Sequence, residues 1–254
     1  MLIKELKKIK KLKTVKVLIF LNVLLLFIFI LKEYNKTNFF DFYFNVSLDL
    51  YNVVLFFNIL IYIIIGEILS DEYIKGTLDY QVIKYGSIIK VIANKLLSAY
   101  IFVLTILIFD MFVIFCFGYF TKVLEAYQIF DSRGSVILND NIVFNSWLRM
   151  FLYNIDLLVG MAITTKLSGL MATFSNNKIS AIIGSFIGLM LLTYPIPGRG
   201  KTHSIIFYRL PILNVYLNIS DYIEYFQTYY LIYVFEFLII LAIIFFLWRR
   251  KYEL

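Results

Sequence analysis

An all-α polytopic membrane protein is the fold class that the sequence predicts, on three observations. Of the 254 residues 61% are hydrophobic and 19% aromatic, with a mean hydropathy of +0.84, more apolar surface than a soluble domain of this length can bury. Apolar runs recur along the chain near the length of roughly 20 residues that a hydrocarbon core about 30 Å thick requires. Lysine and arginine then fall unevenly among the connections between those runs, as the positive-inside rule expects.

The first element is amphipathic. Leu2, Ile3, Leu6, Ile9 and Leu12 recur at helical spacing with lysines between them, which predicts an N-terminal interfacial helix over residues 1–14; a plain positive flank is the alternative. No small-residue cleavage site comes after Leu31, where the chain continues Lys32, Glu33, Tyr34, so this start is expected to be an uncleaved anchor rather than a signal peptide.

Six spans are expected, near Val15–Leu31, Tyr51–Leu69, Leu96–Phe117, Trp147–Ala172, Ile179–Tyr194 and Tyr229–Trp248. The first and fifth are short, which leaves five spans plus one re-entrant segment as the alternative. Lys4 to Lys16, then Lys75, Lys84, Lys90 and Lys95, then Lys178, then Arg249 to Lys251 alternate with connections in which cations are diluted by acids. Both termini are therefore expected in the cytoplasm, with the chain in a bacterial cytoplasmic membrane. The net charge of +7 is absorbed by topology and anionic lipid, and no basic patch with exposed aromatics points to nucleic acid.

Chemistry-bearing motifs are absent. Cys116 is alone and His203 has no neighbours at metal-ligand spacing, so neither a disulfide nor a metal site is expected. No phosphate loop, nucleophile elbow or HExxH occurs. The chain reads as neither an enzyme nor a nucleotide binder, and any ATP and Mg belong to a partner.

The polar interruption at 70–95 carries the most information. Ile74, Leu78, Val82, Tyr85, Ile89 and Ile92 recur every three or four residues while Asp71, Lys75, Asp79 and Lys90 keep to other positions, predicting helix with an apolar face outside the bilayer. Such a face wants a protein or lipid surface. Gly76 interrupts the helical run, and Thr77 is placed to cap the short helix after that break.

Here the chain resembles the permease subunits of type-2 ATP-binding-cassette exporters. Their signature after the second span is Glu, three residues, Gly-Thr-Leu, then Pro-x-Ser-Arg and a Lys opening the third span. Glu72, Gly76, Thr77 and Leu78 match it, and Ser87, Lys90 and Lys95 fall at family positions, whereas Tyr85 stands where proline is usual and Ile88 where arginine is usual. The resemblance implies a coupling helix that docks on an ATPase subunit through Glu72, Gly76, Thr77, Leu78 and Tyr85. It also implies a permease dimer with two ATPase copies, and a path lined mainly by the second and fifth spans.

Asn58 and Tyr62 share a face of the second span and are the expected lining residues there. Gly184 and Gly188, in a small-residue stripe with Ser180, Ala181 and Ser185, let the fifth span approach another helix closely, in a dimer or within the chain. Asp110, Asp156 and Glu236 fall at similar depth in the outer halves of the third, fourth and sixth spans. They form either an acidic cluster on the path of cationic cargo or separately hydrogen-bonded acids. Residues 195–228, too interrupted to span and too apolar for a free loop, read as a re-entrant outer gate segment, with an ordinary folded outer loop as the alternative.

The whole chain, 1–254, thus reads as a single permease domain. Its expected function is ATP-driven export of amphipathic or hydrophobic cargo. The resemblance points to peptides of the bacteriocin or phenol-soluble-modulin-like toxin kind. A channel or secondary transporter working without an ATPase is the alternative.

Overall fold

A computed structural model describes residues 2–52, 56–125, 128–130, 136–139, 143–175, 177–193, 234 and 238–250. Helix α1 (Leu2–Lys11) joins α2 (Lys13–Lys32) through Leu12, a single residue with extended backbone. Next come α3 (Phe39–Asn52), α4 (Phe56–Ile65), a π-helical turn (Gly66–Asp71), the short α5 (Glu72–Ile74), α6 (Thr77–Tyr85) and α7 (Ile88–Thr121). An antiparallel pair, β1 (Gln128–Phe130) and β2 (Val136–Asn139), precedes α8 (Val143–Phe174) and α9 (Lys178–Thr193). Residues 238–250 form a last helix, α10.

Helices α2, α7 and α8, of 20, 34 and 32 residues, are long and apolar enough to cross a membrane. At 1.5 Å per residue α2 measures about 30 Å, the hydrocarbon thickness, whereas α7 at about 51 Å projects well beyond it. The second apolar run is not one continuous α-helix, because it passes from α4 into the π-helical turn. The side chains suit an apolar surround. Val17, Phe20, Phe27 and Leu31 of α2 and Phe109 and Phe112 of α7 point outward, while Asn22, Asp110 and Arg149 are buried, the reverse of a water-soluble fold.

The two ends of the bundle are distinct. At one end α1 packs on α7, Tyr73 meets Trp248 edge-on with ring centroids 5.7 Å apart, and Lys178 at the start of α9 pairs with Glu67 of the π-helical turn. The cation-rich segments at 2–16, 75–95 and 249–250 therefore gather at one end. At the other end the Phe39 N–H donates to the Val123 carbonyl at 2.8 Å, and the Val123 N–H to that of Thr37 at 2.9 Å. Phe39, Phe40, Phe115 and Trp147 interlock there with centroids 5.0 to 6.0 Å apart, each such pair worth about 0.5–1.5 kcal/mol beyond its burial. Gly118 permits this approach, since a Cβ there would lie 3.0 Å from both Phe39 and Phe42.

Asp41, in the first turn of α3 and ahead of the apolar run that begins at Tyr51, is pushed up to about 6. Burial is the main cause, opposed by Lys36 and reinforced by Glu125. Because the folded state holds this proton more tightly than the unfolded chain, the associated stability is full at low pH and lost as pH rises through about 6. Asp41→Asn should remove that part of the pH dependence, read as the difference between the two proteins' thermal midpoints across this range in detergent.

Inside the bundle the Asn22 amide donates to both carboxyl oxygens of Asp110, at 3.0 and 2.8 Å, tying α2 to α7. Asn22→Leu strands a fully buried acid and is expected to cost about 1–3 kcal/mol, measurable by thermal unfolding of the detergent-purified chain.

Candidate partner-docking segment

Backbone geometry sets α6 apart from its neighbours. Gly76 (φ 67°) and Gly86 (φ 70°) both adopt the left-handed conformation, which glycine enters without the Cβ penalty other residues meet. Gly86 ends α6 with its N–H on the Val82 carbonyl at 2.8 Å, and Ser87 caps α7, its hydroxyl oxygen accepting from the Lys90 N–H. A glycine and a serine thus make the turn where the resembled family uses proline at Tyr85. Thr77 acts backward rather than forward. Its hydroxyl donates to the Glu72 carbonyl at 3.2 Å and makes no cap on α6, correcting the expected capping role.

Beneath α6 lies a buried charge cluster. Lys95, with 0% exposure, places Nζ 3.0 Å from Glu72 Oε2 and 3.3 Å from Glu5 Oε2. Gln81 Nε2 donates to the same Glu72 oxygen at 2.6 Å, and Lys8 pairs with Glu72 Oε1. Two carboxylates face two ammonium groups, so the cluster is neutral in sum, the condition under which buried charge is tolerated. It fastens four elements, α1, α5, α6 and α7, to one another.

The orientation of the segment corrects the sequence reading in one respect. Of the row Ile74, Leu78, Val82, Tyr85, Ile89 and Ile92, four members turn inward; Leu78 and Ile92 are fully buried, and Val82 and Tyr85 pack against the core, whereas Ile74 and Ile89 are exposed. Ile74 points outward together with Tyr80 and Ile83, which lie off that row, at 53, 67 and 81% exposure, beside Lys75, Gly76, Thr77 and Lys84. Of the expected docking residues, Gly76 and Thr77 are exposed, Tyr85 is half-buried, and Glu72 and Leu78 act from within by holding the segment.

The remaining expected site residues scatter. Tyr62 is buried among the chain's own helices and offers no surface to a second copy in this conformation. Gly184 packs within the chain, where a Cβ would meet Met171 of α8 at 3.7 Å, and Ala181 and Ser185 are buried beside it. Asp110 is paired with Asn22. The side chains of Asn58 and Asp156, the surroundings of Gly188, and Glu236 lie outside the described residues, as does the gate segment 195–228.

Glu5, Lys8 and Gln81 were not legible as site residues. Glu5 alone carried a signal, as the one acid in a run of lysines. The π-helical turn was likewise invisible to apolar periodicity. Gly66 lets this turn press on α9, a Cβ there lying 3.2 Å from Ile182 and 3.4 Å from the Lys178 carbonyl.

The fold and this segment define a helical protein with, among the described residues, three helices fit to cross a membrane and an anchored surface helix at one end. No family model matches the chain, and neither a curated protein nor a solved structure matches it.

Proposed function

We propose that the chain is the permease subunit of an ATP-driven exporter, with six spans and both termini in the cytoplasm. Two copies form a translocation path for amphipathic or hydrophobic cargo, peptides of the toxin or bacteriocin kind among them. The observation that carries this reading is the outward pair Tyr80 and Ile83 on α6, with Ile74 just ahead of it in α5, where α6 lies between two left-handed glycines and is fastened from behind through Glu72 to Lys95. An exposed aromatic and aliphatic row on a rigid helix suits the hot-spot core of a protein interface. In this reading it seats a separate ATPase subunit.

Coupling then has a physical route. Closure of the two ATPase subunits displaces α6, and Glu72 carries the displacement into the π-helical turn, a geometry often found at functional hinges. The Glu67–Lys178 pair joins that turn to the start of α9, so the second and fifth spans tilt together.

Gly76→Val tests this reading. A β-branched residue at φ 67° is disfavoured by more than the roughly 1–2 kcal/mol an ordinary side chain pays there, and it strains the turn that sets α6 while its Cβ meets only Asp79 Oδ2 at 3.9 Å. Membrane insertion should be unchanged while cargo export into inverted vesicles falls at least tenfold and ATP hydrolysis loses its cargo stimulation. Unaltered export would remove the docking reading.

A further inference from the structure

The N-terminal helix is tied to the coupling segment more tightly than its expected interfacial role requires. Part of its apolar side is taken up by the chain itself, since Ile9 is fully buried and Glu5 nearly so, with α1 packed on α7. What α1 turns outward, beside Ile3, is charge: Lys4, Lys7, Lys10 and Lys11 are exposed and form no ion pair among the described residues, and Lys13 and Lys16 continue the exposed cations into α2. Only Leu12 separates α1 from α2, a helix whose length equals the hydrocarbon thickness. The lysines of α1 therefore stand within about two and a half helical turns, roughly 14 Å along the helix, of the start of α2.

We infer that the lysine face of α1 binds anionic lipid headgroups and that the Glu5–Lys95–Glu72 chain transmits the bound state to α5 and α6. Each lysine near an anionic surface adds an attraction that falls off within a Debye length, so several together hold α1 firmly in a charged membrane and loosely in a neutral one. Lys95 is shared by Glu5 and Glu72. A shift of α1 that draws Glu5 away changes how Lys95 and Glu72 are paired, and Glu72 also holds Gln81 of α6. Lipid charge thereby sets how rigidly the coupling segment is presented. This device does not depend on the identity of the partner that α6 meets.

Hydrogen exchange of the full chain in nanodiscs, without any partner, tests it. Discs of phosphatidylcholine alone are compared with discs containing phosphatidylglycerol. Phosphatidylglycerol should slow amide exchange about tenfold over 2–11 and also over 72–85, a size usual for coupling between linked sites. Glu5→Gln leaves Lys95 paired with Glu72; it should keep the slowing in α1 and lose it at 72–85. Replacing Lys4, Lys7, Lys10 and Lys11 together by Gln should abolish both, and half-molar salt should mimic that variant. Equal exchange of α1 in the two discs would overturn the inference and leave the lysines to an acidic protein surface. Lipid-dependent exchange at 72–85 that persists in Glu5→Gln would overturn the transmission through Glu5 and Lys95 and assign it to the direct Lys8–Glu72 pair.

Discussion

Replacing Lys95 with methionine is expected to destabilise the folded chain by about 3–5 kcal/mol, the usual cost of leaving a buried charge without its partner. Methionine keeps much of the side-chain length, so the loss is electrostatic rather than a cavity. Glu5 and Glu72 would then lose the cation they share, and the half-exposed Lys8 would remain paired with Glu72 alone. The thermal midpoint in detergent should fall, and limited proteolysis should open first at Gly76 and Gly86, where α6 is hinged. Lys95→Met combined with Glu5→Gln should cost less than the sum of the two single changes, because the second removes one of the stranded carboxylates. Additive costs would show that the three side chains do not act as one cluster.

Ile83→Glu is expected to do the opposite. At 81% exposure the side chain supports nothing in its own chain, and stability should stay within about 0.5 kcal/mol of the parent. Partner affinity should fall by at least about 30-fold, the loss of a hot-spot anchor worth about 2 kcal/mol or more, and Tyr80→Ala should lower it further. Leu78→Ala provides the contrast, since it empties a fully buried position and should cost about 2–5 kcal/mol of stability. Purified chain, its thermal midpoint and a pull-down of the ATPase separate the two rows. Loss of stability in Ile83→Glu, or full partner binding, would place the interface elsewhere.

The apolar runs were legible because span length is a physical constraint that composition alone can meet. Helices α2, α7 and α8 fall on three of the expected spans, and the polar interruption at 70–95 does contain a helix flanked by Gly76 and Gly86. Its orientation was not legible. Periodicity shows that Leu78, Val82 and Tyr85 share a face with apolar neighbours, but the same pattern serves a face turned to a partner and one turned to the core. Which it is depends on where α1 and α7 lie, a tertiary fact. The same limit applies to Glu72, whose motif position implied a part in docking and whose carboxylate is closed in by Lys95, Lys8 and Gln81. In α1, Leu2, Ile3, Leu6, Ile9 and Leu12 announced a helix, and their spacing left unreadable that Ile9 would be buried, with α1 packed on α7, while Ile3 stays exposed. Gly184 was readable as a close-packing position, and Met171 as the neighbour it serves was not.

Purifying the tagged full chain from its native membranes in mild detergent, and identifying what accompanies it in near-equal amount, tests the central claim most directly. The account predicts an ATPase with nucleotide-binding motifs, retained by the parent chain and lost from Ile83→Glu. Cargo transport by the chain alone in proteoliposomes, with no ATPase accompanying it, would contradict the account and favour a channel or secondary transporter.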